Sequence, residues 1–276
     1  MRMAIAAMLS ASLLAGLAGV VAPAATGAAT CVNGWKEMWV PESVFLSTPF
    51  EVLTRDGKEA WILGGTNSGL LALRRNGSTW KRTATGTKGH RGLLGGAVLG
   101  DDRVLGVGYY RPYLGNGQGA MLPISGRVVK NGWKGRAVPD LPGPRATLTD
   151  VAALANGKAM AVGTRLQSGR LRATAMLWNG SKWRRQDPGV GTGSGLLGID
   201  RAFNGNVWAV GWKESSLGRP RPYIIKRSGS GWKRISAAAL PAGSAVLTGV
   251  DFRAGDNGYA VGYHAANGSD KHRAIL

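Results

Sequence analysis

Cysteine is all but missing from this chain. Cys31 stands alone among 276 residues, so no internal disulfide can form and the fold must be held by its core. Acidic residues are scarce, 15 against 35 lysines and arginines, which leaves a net charge of +20 spread along the chain rather than held in a tail. Only five residues are glutamate, and Glu37, Glu42, Glu51 and Glu59 lie near the N-terminus. The three histidines, His90, His264 and His272, form neither His-x-His nor His-Glu-x-x-His. With Cys31 as the sole thiol, no usual zinc site can be assembled, and no metal or other cofactor is expected. There is no Gly-x-Ser-x-Gly elbow, no phosphate-binding glycine loop and no specific nucleic-acid motif. Charged residues make up only 18% of the chain while glycines number 44, which argues against long helices.

One long apolar run is present. Residues 1–29, "MRMAIAAMLSASLLAGLAGVVAPAATGAA", carry Arg2, an Ala- and Leu-rich stretch and a small-residue tail. That is the layout of a secretory signal peptide. A membrane anchor is the competing reading, because the run approaches spanning length. Pro23, the small residues and the lack of a following basic stop favour cleavage, with the mature chain starting near Thr30 and no membrane span left. The expected location is secreted or extracellular. The alternative is a lipid anchor through Cys31, which the preceding Ala28, Ala29 and Thr30 fit only in part. A basic exported protein should be drawn to polyanions such as teichoic acids, acidic polysaccharides or shed nucleic acid.

The remainder is a repeat. An apolar phrase closed by glycine recurs at Gly64, Gly108, Gly163, Gly211 and Gly262, for example "NVWAVGW" at 206–212, with steps of 44, 55, 48 and 51 residues. A turn glycine followed by tryptophan keeps step with it at Trp35, Trp80, Trp133, Trp183 and Trp232, with steps of 45, 53, 50 and 49. Two markers sharing one period define a repeat of about 50 residues. Each unit holds four strand-sized apolar segments. The first two are joined by a turn at Asp56-Gly57, Asp101-Asp102, Asn156-Gly157, Asn204-Gly205 or Asp256-Asn257. Four short antiparallel strands per unit predict one blade of a β-propeller. The glycine phrase is then the second strand, apolar throughout because both its faces are packed. Its glycine is expected to end that strand where the chain turns away, and the tryptophan to fill the outer gap between blades.

The blades are expected at about 43–85, 92–139, 146–188, 195–236 and 246–276. The last has three strands and is completed by 31–40, "CVNGWKEMWV". The prediction is therefore an all-β, five-bladed propeller within 30–276, closed by strands from both termini and monomeric. The rival is a longer propeller cut short at Leu276. The phrase resembles kelch and galactose-oxidase propeller repeats, in which an apolar strand ends in Gly-Gly before a spaced tryptophan. Gly64-Gly65 with Trp80 carries that pattern whole, and the later units keep only the first glycine. The "VWAVG" wording is similar to propeller repeats of secreted actinobacterial proteins. "GSTW" at 77–80 is a fainter likeness to the sialidase Asp-box, with Arg75 where its aspartate would stand. These resemblances imply a fold, which hosts binding modules and enzymes alike.

Candidates for chemistry are few. Asp150, Asp200 and Asp251 fall in or beside first strands, which line a propeller's channel. They are weak candidates for the paired carboxylates of a glycosidase or lyase, because Asp150 does not align with the other two. The residues after the glycine are expected to open the loop from second to third strand. Tyr109, Tyr110, Trp212 and Tyr263 fall there beside the cations Arg111, Lys213, Arg219 and Arg221, and could stack sugars or bases and pair with anions. The competing reading makes these rings core caps of the blade ends. Each blade tryptophan is followed by a cation: Lys36, Lys81, Lys134, Arg184 or Lys233. These form a positive girdle that guards edge strands or collects polyanions. The resulting expectation is a non-catalytic binding module for glycans or anionic cell-envelope polymers. Its alternatives are a channel-sited enzyme and a scaffold for another exported protein.

Overall fold

The computed structural model describes residues 47–55, 59–66, 69–77, 79–84, 90–100, 103–111, 121–129, 132–136, 138, 141, 145–236, 243–266 and 272–275. The expected signal peptide, Cys31, Trp35, Lys36 and the expected closing strand at 31–40 lie outside these residues. The protein is all β. The first unit comprises β1 (Ser47–Arg55), β2 (Glu59–Thr66), β3 (Gly69–Asn76) and β4 (Thr79–Ala84). The second comprises β5 (His90–Val98), β6 (Val104–Arg111), β7 (Leu122–Val129) and β8 (Gly132–Arg136). The third comprises β9 (Ala146–Ala153), β10 (Ala159–Gln167), β11 (Arg170–Trp178) and β12 (Trp183–Gln186). The fourth comprises β13 (Ser194–Arg201), β14 (Val207–Glu214), β15 (Pro220–Ser228) and β16 (Gly231–Ile235). The fifth has β17 (Gly243–Ala254), β18 (Asn257–Ala266) and β19 (His272–Ile275). Every unit is an antiparallel meander in chain order, and a short pairing of β2 with β5 joins the first two into one sheet.

The turn residues explain the meander. Asn156 and Gly157 both take positive φ, +58° and +67°, as a tight reversal between right-twisted strands requires. In the fifth unit the reversal falls on Gly255-Asp256, one residue ahead of the expected Asp256-Asn257, because Ala254 already pairs with Asn257 and Gly255 takes φ +55°.

Successive units stack in one sense. First strands lie side by side, β1 with β5, β5 with β9, β9 with β13 and β13 with β17. The second strand of each unit packs on the first strand of the next. Three of the four core clusters lie between neighbouring units, and the fourth, Leu71, Leu73 and Trp80, lies within the first. Along β10, Ala159 and Ala161 belong to the core shared with the second unit, while Met160 and Val162 belong to the core shared with the fourth. A strand buried on both faces has no polar side, so its sequence is an uninterrupted apolar run.

The glycine closing that run does something other than end the strand. Gly64, Gly108, Gly163, Gly211 and Gly262 each sit inside their strand, with two to four residues following in the same strand. Opposite each one the first strand carries a one-residue bulge, at Phe50, Leu94, Thr149, Leu197 and Thr248. The bulge drives a backbone carbonyl, that of Thr48, Gly92, Thr147, Gly195 or Val246, into the space a Cβ would take. No other residue type fits there without moving the backbone.

Candidate functional site

Because the glycine is internal, the aromatic residues after it continue the strand instead of opening a loop. Tyr109, Tyr110 and Arg111 finish β6, Trp212 and Lys213 lie in β14, and Tyr263 lies in β18. The Tyr109 ring lies over Gly92 and the Trp212 indole over Gly195, each directly opposite in the first strand. These two rings therefore cover their own sheet. Tyr110 is stacked by the Arg91 guanidinium at 4.0 Å, and Tyr263, opposite Val246, is 39% exposed.

To the cations expected at this end of the sheets the structure adds a third-unit group that sequence reasoning passed over, Arg165, Arg170 and Arg172. Cross-strand register sets Arg165 opposite Arg172 and Gln167 opposite Arg170 at the ends of β10 and β11. Gln167 Oε1 accepts from both Arg165 (2.6 Å) and Arg172 (3.2 Å), which holds two guanidiniums together. Arg172 also donates to both oxygens of Asp187, at 3.1 and 3.2 Å, and Arg170 pairs with Glu214 of the fourth unit. Burial, then the neighbouring Arg185 and Arg172, push the Arg165 pKa below its usual value, with Asp187 opposing. The Gly189 N–H, followed by Arg172 and Arg185, holds the Asp187 carboxyl below the usual range against some burial. In the fourth unit Lys213 lies opposite Arg221, which donates to the Gly243 carbonyl at 2.8 Å. Arg145, next to β9, is exposed. A faint signal was available: Arg170-x-Arg172 precedes the third apolar run of the third unit as Arg219-x-Arg221 precedes that of the fourth.

The first-strand carboxylates are engaged with backbone. Asp150 accepts from Val151 N–H through Oδ1 (2.7 Å) and from Ile199 N–H on β13 through Oδ2 (2.9 Å). Asp200, 8% exposed, accepts from Phe252 N–H on β17 at 3.0 Å. Each ties the first strand of one unit to that of the next, though from different positions in the repeat. Asp251 is partly buried in β17. A hydrogen bond to an ionised acceptor contributes about 1.5–3 kcal/mol. Asp150→Ala and Asp200→Ala are each expected to lower the free energy of urea unfolding by that amount, while leaving the fold and the far-ultraviolet dichroism unchanged.

At the opposite end, Asp256 in the β17–β18 turn reaches back to the fourth unit. Its carboxylate accepts from Asn206 Nδ2 (2.9 Å), Trp208 Nε1 (3.1 Å) and Lys226 Nζ (2.7 Å), with Lys226 also 4.9 Å over the Trp208 ring. Lys226 and then Asn206 hold the Asp256 carboxyl far below the usual range.

Trp80, Trp133, Trp183 and Trp232 all lie on outer strands. Trp183 is 1% exposed within the core between the second and third units, and its Nε1 donates to Ser125 of β7 at 2.7 Å. Lys81, Arg82, Lys134, Arg184, Arg185, Lys233 and Arg234 are exposed on these strands. Among the described residues no three His, Cys, Asp or Glu side chains are placed to hold a metal ion, and no helix is long and apolar enough to cross a membrane. His264 is buried in β18. No family model matches the chain, and no curated protein matches it.

Proposed function

We propose that this chain is an exported, non-catalytic binding module that holds anionic polymers of a cell envelope, built on a five-bladed propeller. Four four-stranded meanders and a three-stranded fifth, stacked through their first strands, support that architecture. In this reading 31–40 supplies a fourth, outer strand to the fifth blade. Closing the ring would remove the free edges of the first and last sheets.

One observation carries the functional reading: the clustering of Arg165, Arg172, Lys213 and Arg221 at one end of the third and fourth units. Guanidiniums held by Gln167 and by a backbone carbonyl are pre-organised, so little side-chain freedom is lost when a phosphate or carboxylate arrives. The first-strand carboxylates support a binding role over a catalytic one. Asp150 and Asp200 are committed to backbone N–H groups, whereas a glycosidase pair needs one acid to donate and one to attack or activate water.

The test is a binding titration of the chain from Thr30 onward against teichoic acid, an acidic polysaccharide, a neutral glycan and nucleic acid at two salt concentrations. Arg165→Ala/Arg172→Ala is expected to weaken binding to one anionic polymer about tenfold or more, the equivalent of 1.4 kcal/mol. Lys233→Ala/Arg234→Ala on the outer rim should change it little. Equal losses in both pairs would reduce the affinity to general charge attraction. Turnover of a glycan that Asp200→Asn abolishes would overturn the reading in favour of an enzyme.

A further inference from the structure

The end of the molecule that carries these arginines also carries leucines that stand out of the surface. Leu217 is 79% exposed in the turn between β14 and β15, where Ser215 and Arg219 close the reversal through Ser215 N–H to the Arg219 carbonyl at 2.8 Å. Leu171 is 38% exposed as the second residue of β11, between Arg170 and Arg172. Leu122 is 39% exposed at the start of β7, opposite Tyr110 and next to the strand end that bears Arg111. Leu217 lies in the connection from second strand to third of the fourth unit, and Leu122 and Leu171 lie at the start of the third strands of the second and third units, just past the same connection. Stacking in one sense puts these connections at one end of the array.

Single exposed leucines are ordinary on protein surfaces. Three near the same end of successive units, each close to an arginine in sequence or register, put two chemistries at one level. Glu214 and Asp187 offset Arg170 and Arg172. Arg111, Arg145, Arg165, Lys213 and Arg221 leave the face positive. A soluble polyanion has no use for the leucines. A bilayer with anionic headgroups uses both, since apolar tips enter the acyl boundary while guanidiniums stay among the phosphates. Neither signal alone gives stable attachment; together they reinforce each other.

We propose that this end of the sheets docks on an anionic lipid bilayer, with Leu171 and Leu217 entering the interface and the surrounding arginines meeting lipid phosphates. The proposal goes beyond polymer binding and shares only its arginines. Both leucines are exposed, so serine at these positions leaves the core intact. The opposite end supplies a control: Phe203, 76% exposed in the β13–β14 turn.

The experiment is co-sedimentation of the chain from Thr30 onward with vesicles of phosphatidylcholine alone and of phosphatidylcholine mixed with phosphatidylglycerol. Removing 1–29 takes away an apolar segment that would itself bind lipid, and every described strand begins beyond it. The wild-type chain is expected to sediment with the mixed vesicles and not with the neutral ones. Leu171→Ser/Leu217→Ser should weaken that binding at least about tenfold and leave affinity for a soluble anionic polymer unchanged. Phe203→Ser should bind as the wild type does. No sedimentation with mixed vesicles, equal sedimentation of wild type and leucine variant, or equal loss in the Phe203 variant would each overturn the docking face. Vesicle binding without any polymer binding would instead remove the polymer reading and leave this one standing.

Discussion

Gly163→Ala is expected to destabilise the protein by about 3 kcal/mol or more, at the upper end of what added atoms cost in a packed interior. A Cβ at this position would overlap the Thr147 carbonyl oxygen and crowd Leu148 Cα, both backbone atoms of the neighbouring strand. A clash with a flexible side chain is relieved by a rotamer change. Here relief requires either moving β9 or expelling the Thr149 bulge. Expelling the bulge shifts the register by one residue and turns one end of β9 inside out. Thr149 would leave its bonds to the Leu196 carbonyl (2.9 Å) and the Val162 carbonyl (3.2 Å), and Asp150 would lose Ile199. The control is Gly231→Ala, where a Cβ meets nothing within 4 Å and the backbone is not left-handed. That variant should stay within about 0.5 kcal/mol of wild type, as surface changes usually do. Urea unfolding midpoints of the two variants decide the matter; equal midpoints would mean the bulge is not what the glycine serves. Because Gly163 lies two residues before Arg165 in the same strand, the alanine variant should also weaken polymer binding under conditions where it remains folded.

The repeat, its strands and its turns were legible because they depend on side-chain chemistry written in the sequence itself. An apolar run with no polar alternation, such as "AMAV" at 159–162, implies a strand covered on both sides, and β10 is one. The bulge was not legible, because it is a property of how two strands pair. Phe50, Leu94, Thr149, Leu197 and Thr248 occupy the same structural position, yet three are apolar and two are threonines, so no one residue type marks it. The recurring glycine is visible in the sequence and the carbonyl that excludes a Cβ from it is not, so the sequence alone suggests a strand end. That reading places Tyr109 and Trp212 at the start of a loop, whereas they cover glycines of their own sheets. The arginine cluster was hidden for another reason: in a chain with 35 cations no single arginine stands out. Only the register that sets Arg165 against Arg172, with Gln167 accepting from both, separates this group from the rest.

Trp183→Ala carries the other large expected effect, about 3–5 kcal/mol, the range for removing a fully buried aromatic residue. Trp183 joins two units at once. Its indole packs 5.5 Å from the Trp178 ring in its own sheet, lies in the core with Leu105 and Val107 of the second unit, and donates to Ser125 across the gap. Ser125 passes the connection on by donating to the Arg136 carbonyl at 3.2 Å, so the chain of bonds ends on the outermost strand of the second unit. Trp183→Phe keeps most of the packing and removes the donor, and should cost about 1–2 kcal/mol beyond the small loss of ring area. Trp232 offers the internal comparison. It holds the equivalent place in the fourth unit but is only partly buried, and its Nε1 has no hydrogen-bond partner among the described residues. Trp232→Ala should therefore destabilise by clearly less than Trp183→Ala in the same urea titration. If the two cost the same, the tryptophan contributes by ring volume alone and the bond to Ser125 adds nothing. If Trp183 costs more, the second and third units are fastened at their outer rim as well as through their first strands. The cations of β6 and β10 would then sit on a rigid support, as a binding face that spans several units requires.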